Sequence, residues 1–220
     1  MDLDSRTLDY VDCFAQRFTS TGSINYRLSS APLPCPLPDS DVFTIEVREG
    51  DEGAEGRQHD VTVRVKDGGL VAEPPQLTIQ QQDVVLWNAS DASTPGFAVQ
   101  GDGEGFSFNS AALRSECLYS HAFLTPGDVK WVDANGGPTS GTILVRTIDS
   151  SDPEACREWA GSLEKALVVT VEGGTVTPER LEVLTGQTVF WAIARANNIS
   201  ITDERLIVPI QQPPAPDADG

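Results

Sequence analysis

The sequence has few of the residues that build most metal, nucleic-acid and membrane sites. Its 220 residues include only two His, four Cys and one Met. No Cys-x-x-Cys spacing or His/Cys cluster occurs, which argues against a zinc site. Lys and Arg total 15 against 33 acidic residues, and the net charge of −18 would repel nucleic acid and anionic membrane surfaces. No apolar run approaches the roughly 18 residues of a membrane-spanning helix. We therefore expect no metal, no nucleic-acid partner and no membrane span.

Catalytic groups are also scarce. A catalytic His needs a nucleophile and an orienting acid, and the sequence groups neither with His121, so this residue is interpreted as a partly buried structural His. His59 stands in an acidic, Gly-rich stretch and is expected to be exposed to solvent. We expect no enzymatic activity and no cofactor.

The sequence is instead rich in short segments in which apolar and polar residues alternate. Val61–Val65 alternates in this way, and Val84–Trp87 and Gly141–Val145 are further apolar runs of strand length. A Pro-Gly pair in Thr125–Asp128 is typical of a type II turn, where Gly takes the positive φ. This pattern predicts a complete antiparallel β-domain over residues 61–148.

The order of four segments resembles the cupredoxin (plastocyanin/azurin-type) family. The segments are PPQLTIQQQDVVLWNAS, FNSAAL, AFLTPGDVKW and GTILVR, and the resemblance covers about 85 residues. It implies a Greek-key β-sandwich and a copper site. Copper in that family is held by soft thiolate and imidazole ligands. Ser93-Thr94-Pro95 stands where the first His belongs, and Asp133 and Gly136 stand where Cys and the second His belong. The copper site is therefore predicted to be absent.

Two flanking segments match halves of this domain. Residues 1–48 match its second half at a constant separation of 105 positions, and residues 167–220 match its first half at 104. Self-similarity at a fixed period indicates a tandem repeat. The two halves are expected to pair as a second, split sandwich, within one chain or between neighbouring copies. The matched residues in the first case are Ser5 with Ser110, Leu8 with Leu113, Phe18 with Phe123, Gly22 with Gly127, and Tyr26 with Trp131.

Two connecting segments complete the predicted domain organisation. Residues 49–60 read as an acidic, Gly-rich linker. Residues 152–166 read as a linker helix, with Asp152 as N-cap and Pro153 in the first turn. The predicted fold class is all-β, with two Greek-key cupredoxin-like sandwiches, one complete and one split, and one short linker helix. The apolar stripe of this helix comprises Cys156, Trp159, Ala160, Leu163 and Leu167.

The four cysteines allow two interpretations. In an oxidising compartment, disulfides Cys13–Cys35 and Cys117–Cys156 are expected. The alternative is four reduced, mostly buried thiols. Paired cysteines in a chain cut from a longer precursor would indicate an extracellular or cell-surface protein, and reduced ones a cytoplasmic protein.

Three functions follow from these observations. The first is a non-catalytic scaffold module of copper-free cupredoxin-like repeats, with other copies or neighbouring repeats as partners. The second is a module that recognises another protein through loops 88–96 and 133–140, a fold-level analogy. The third is copper-based electron transfer through unorthodox ligands. The candidate recognition residues are Asn88, Asp91, Thr94, Asp133 and Asn135.

Overall fold

The computed structural model describes residues 2–30, 41–50, 53 and 55–207, and these residues form three β-sheets and one short α-helix. The all-β fold class with one short helix is confirmed. The strands are β1 (Asp12–Arg17), β2 (Gly22–Ser30), β3 (Phe43–Arg48), β4 (Gln58–Lys66), β5 (Gly69–Glu73), β6 (Gln76–Gln80), β7 (Val84–Ala89), β8 (Phe97–Gly103), β9 (Phe106–Asn109), β10 (Cys117–Ala122), β11 (Gly127–Asp133), β12 (Ser140–Arg146), β13 (Leu167–Glu172), β14 (Thr175–Thr177), β15 (Arg180–Leu184), β16 (Thr188–Arg195) and β17 (Ile201–Asp203). Helix α1 (Pro153–Ser162) lies between β12 and β13.

Strands β1 to β9 form the first sandwich. One layer has the strand order β5-β4-β7-β1 and the other has the order β6-β3-β2-β8-β9. Alternate residues of strands such as β2 and β7 are buried, as the period of a pleated strand requires. The layers meet through aromatic side chains: the Trp87 ring lies 5.6 Å from Tyr26 and 5.2 Å from Phe108, measured between centroids. Trp87 is fully buried at the centre of this core.

Strands β10 to β17, with α1, form the second sandwich. Its layers have the strand orders β14-β13-β16-β10 and β15-β12-β11-β17. Each strand matches the strand at the same place in the first sandwich, and only β9 has no match among the described strands. Trp191 takes the place of Trp87, with its ring centroid 5.6 Å from Tyr119 and 6.1 Å from Trp131. We call residues at matching places in the two strand orders counterparts.

The two sandwiches share one sheet. The edge strands β1 and β10 pair antiparallel, with Phe14 opposite Tyr119, and this pairing joins two four-stranded layers into one eight-stranded sheet. We call this junction the seam. It removes the two edges on which each layer would otherwise present unpaired backbone N–H and C=O groups.

The N-terminal residues also cross between the sandwiches. The Ser5 N–H donates to Ile201 O (2.9 Å) and the Ile201 N–H donates to Ser5 Oγ (3.0 Å). Ser110 makes the same pair of bonds to Val99 in the first sandwich, at 2.9 and 3.0 Å. Leu3 is buried, and its carbonyl accepts from a backbone N–H in β17. Residues 3–5 therefore complete the second sandwich in the way that residues 108–110 complete the first.

This pairing differs from the predicted grouping of residues 61–148 into one complete domain. Strands β4 to β9 pair with β1 to β3, and β10 to β12 pair with β13 to β17. Segment 1–48 therefore bonds mainly to 58–109, and its expected pairing with 167–220 is limited to residues 3–5. The physical reason is that equivalent strands of the matched segments carry the same apolar pattern. The sequence therefore does not show which of two equivalent strands a given strand pairs with.

The connecting segments also depart from expectation. Helix α1 begins at its predicted cap, where Asp152 Oδ1 accepts from the Glu154 N–H (2.8 Å), but it ends at Ser162. It connects two strands of the second sandwich, β12 and β13, rather than two domains. From its expected apolar stripe, Trp159 packs onto this sandwich and donates a hydrogen bond from Nε1 to Thr185 O (2.7 Å). The expected linker 49–60 is shorter, because β4 begins at Gln58.

His59 is not the freely exposed residue that the sequence suggested. It lies in β4, its side chain is 27% exposed, and its Nε2 lies 2.7 Å from Asp83 Oδ2. Burial alone would raise the pKa of Asp83, but hydrogen bonds from two backbone N–H groups and from His59 together lower it. Asp83 thereby fixes the turn before β7.

Candidate functional site

Asp133 is the last residue of β11, next to the loop that leads to β12, and stands where the resemblance places a copper-binding Cys. Its Oδ1 accepts from the backbone N–H groups of Asn135 (2.9 Å) and Ser200 (2.9 Å), and its Oδ2 accepts from Gly137 (3.1 Å). Asn135 Nδ2 donates to Asn198 O at 3.1 Å. Both carboxylate oxygens of Asp133 therefore accept hydrogen bonds from backbone N–H groups. Across the described residues no group of three His, Cys, Asp or Glu side chains is placed to bind a metal ion.

The loop between β7 and β8 is ordered by its own side chains. Asp91 Oδ1 accepts from the Ser93 N–H (2.7 Å), and Thr94 is 6% exposed with its hydroxyl 3.0 Å from Ser90 Oγ. Asn88 lies in β7 opposite Cys13, and its buried Oδ1 has no hydrogen-bond partner among the residues described.

These two loops do not surround one pocket. Residues 88–96 belong to the first sandwich, where the following Phe97 exchanges two backbone hydrogen bonds with Leu8. Residues 133–140 belong to the second sandwich and contact residues 198–200. The expectation of a joint recognition surface is wrong for this pair because β10–β12 and β4–β9 build different sandwiches.

The expected disulfide between Cys117 and Cys156 does not form. Cys13, Cys117 and Cys156 are free thiols, and Cys35 lies outside the described residues. Cys117 is buried at the seam, where its Sγ donates to Gln16 Oε1 (2.9 Å), while Cys156 lies on α1. Burial raises the pKa of Cys117 to about 11. This thiol is therefore protonated at neutral pH and a poor nucleophile.

A buried, hydrogen-bonded polar cluster lies at the seam. Asp12 of β1 is 1% exposed and accepts from Tyr119 Oη (2.7 Å), and the same Oδ1 lies 2.7 Å from His121 Nδ1 of β10. Its Oδ2 accepts from the Asp9 N–H (2.9 Å). The first sandwich supplies the carboxylate and the second supplies the side-chain donors, so the cluster joins the two. We call Asp12, Tyr119 and His121 the seam triad.

Burial shifts the ionisation of two members of this triad, Asp12 and Tyr119. It raises the pKa of Asp12, opposed by the hydrogen bonds from His121, Asp9 and Tyr119. It also raises the pKa of Tyr119 well above its usual value, helped by the nearby Asp12 charge. Tyr119 therefore acts as a hydrogen-bond donor throughout the physiological range.

His121 stood out in the sequence, but its acid did not. Asp12 lies 109 positions away, and only the β1–β10 pairing brings the two together. One signal was present in the sequence: His121 matches Gln16 at the constant separation of 105, so two core positions expected to be alike differ in chemistry.

No family model matches the chain, and comparison with curated proteins and with solved structures also found no match. Among the described residues, no helix has the length and apolar character needed to cross a membrane.

Proposed function

We propose that the chain is a non-catalytic scaffold module in which two copper-free, cupredoxin-like repeats are closed into one unit. The shared strand order supports two copies of one repeat. The parallel pairing of β3 with β6 and of β4 with β7, beside antiparallel neighbours, supports the cupredoxin-like assignment. In this proposal each repeat takes its last three Greek-key strands from the segment that precedes it.

The observation that carries this proposal is the set of backbone contacts by which each sandwich is joined to, and completed by, segments next to the seam. The β1–β10 pair joins the sheets, and the ends of the sandwiches are completed by residues 3–5 and 108–110 with the same hydrogen bonds. The two sandwiches then have fixed relative positions, as a spacer or scaffold element requires. Because residues 3–5 and 108–110 complete both sandwiches within one chain, we propose a closed single-chain unit rather than head-to-tail assembly.

The test is differential scanning calorimetry of the full chain. A closed unit unfolds in a single transition whose calorimetric enthalpy equals the van't Hoff enthalpy. Two separate transitions would mean that the sandwiches are independent, and the scaffold argument would lose its basis. Copper reconstitution followed by metal analysis supplies a second check: bound copper with a visible absorption band would favour the electron-transfer alternative.

Recognition of another protein is the second candidate, now limited to the loop 133–140 and its neighbour 198–200. The bonds from three backbone N–H groups to Asp133 support it, because a loop held rigid loses less conformational entropy on binding. Exposed Asn135 is the residue to change. If capture of a partner is the same for wild type and Asn135→Arg, with Asn25→Arg on the first sandwich as the matched control, the recognition proposal fails.

A further inference from the structure

The seam has two ends that share a backbone arrangement but differ in chemistry. On either side of the Phe14–Tyr119 pair, Asp12 faces His121 and Gln16 faces Cys117. All four of these flanking side chains are buried. The counterpart of Asp12 is Cys117, that of His121 is Gln16, and that of Tyr119 is Phe14. One end therefore carries an ionisable triad where the other carries neutral or apolar groups.

The neutral end uses all of its polar groups internally. Gln16 Nε2 donates to Arg17 O (2.7 Å) and Glu116 O (3.3 Å), and Gln16 Oε1 accepts from Cys117 Sγ (2.9 Å). An open cleft of about 610 Å³ adjoins Gln16, but these bonds leave its amide no free donor toward the cleft. Packing at the seam is thus achieved without an ionisable pair.

The ionisable end leaves one nitrogen free. In the tautomer in which His121 Nδ1–H donates to Asp12 Oδ1, Nε2 is left as a hydrogen-bond acceptor. Among the described residues Nε2 has no hydrogen-bond partner, although His121 is 2% exposed. His121 lines a cavity of about 170 Å³ with mixed walls: Leu3, Phe123 and Val129 contribute apolar surface, and Asp128, Asp203 and Arg205 contribute polar surface. The Phe123 ring lies edge-on to the imidazole, 4.8 Å between centroids.

Charged groups at the cavity restrict the ligand. Asp203 is 2% exposed and pairs with Arg205, whose Nη2 lies 2.5 Å from Asp203 Oδ2, and Asp128 lines the mouth. Both carboxylates already have a partner, since Asp203 pairs with Arg205 and Asp128 pairs with Arg146, so the described lining leaves no unpaired charge to attract an ion. An apolar cavity of about 150 Å³ is large enough to hold benzene.

We propose that this cavity binds a small neutral ligand with an apolar, ring-sized body and one hydroxyl group, which donates a hydrogen bond to His121 Nε2. The apolar body contacts Leu3, Phe123 and Val129, and the Asp12 carboxylate holds the imidazole in the accepting tautomer. This site is independent of the scaffold proposal, since either can fail without the other.

Phenol is the probe and toluene, which replaces the hydroxyl with a methyl group, is its control. With only two His in the chain, ¹H–¹⁵N spectra of the imidazole nitrogens are simple, and His59→Gln assigns the remaining signals to His121. Phenol should shift the His121 Nε2 resonance saturably and leave His59 unchanged. One net hydrogen bond corresponds to preference for phenol over toluene of about tenfold in Kd.

The protein itself supplies the matched variant. Asp12→Cys, Tyr119→Phe and His121→Gln together copy the neutral end of the seam, and the preference for phenol should then disappear. No saturable shift with phenol, or equal affinity for phenol and toluene, would overturn the proposal in the wild-type protein, whether or not the triple variant folds. Retention of the preference in a folded triple variant would also overturn it.

Discussion

Leu3→Ala gives the sharpest prediction about how the second sandwich is completed. Leu3 is 2% exposed, and its carbonyl accepts from the Asp203 N–H at 2.7 Å. The change removes three carbons, worth about 0.8 kcal/mol each, or about 2.4 kcal/mol of transfer free energy. Buried Leu→Ala substitutions cost about 2–5 kcal/mol, and the cost is lower where the surroundings can close over the gap. We therefore expect a loss of about 2–3 kcal/mol in the free energy of unfolding.

Urea unfolding followed by tryptophan fluorescence measures this loss, and amide hydrogen exchange locates it. Exchange should accelerate at Asp203, although Leu3 belongs to the N-terminal segment. Leu124→Ala is the control, since Leu124 is 46% exposed and should change stability by less than about 0.5 kcal/mol. If Leu3→Ala behaves like Leu124→Ala, or if exchange accelerates only in the first sandwich, residues 3–5 do not complete the second sandwich.

Three further predictions concern single side chains. Native alkylation at pH 7.5 should modify Cys156 faster than Cys117, because burial raises the pKa of Cys117 to about 11; equal rates by mass spectrometry would contradict its burial. Asp83→Asn should lower the free energy of unfolding by about 1–3 kcal/mol near pH 6. Since the pKa of Asp83 is lowered by folding, that difference should shrink as pH falls below about 4, the unfolded value, and a constant difference across urea titrations would refute it. Gly101→Ala should cost about 1–3 kcal/mol in thermal unfolding, because the new Cβ would lie 2.5 Å from the Phe108 ring; an unchanged Tm would contradict this packing.

The strands were predictable because their patterns are local. The alternation at Val61–Val65 and the apolar run ending at Trp87 became β4 and β7, and Asp152 caps α1 as its residue type suggests. The early end of α1 was not predictable, because Leu167 fits a helical stripe as well as it fits the start of β13.

The partner of each strand was not predictable because it depends on contacts between distant segments. Trp87 and Trp191 sit in the same sequence pattern, so either could accept β1 as a neighbour, and the structure pairs β1 with the strand of Trp87. The seam triad was not predictable for the same reason. The mismatch of His121 with Gln16 was visible, but its meaning required Asp12 to lie across the β1–β10 pair.

Light scattering coupled to size-exclusion chromatography, over a hundredfold range of concentration, tests the closed arrangement most directly. Because residues 3–5 and strands β1 to β3 find their partners within one chain, we expect a constant mass of 23.6 kDa. A concentration-dependent series of multiples of that mass would mean that the sandwiches are completed between chains, and the closed scaffold unit would be wrong.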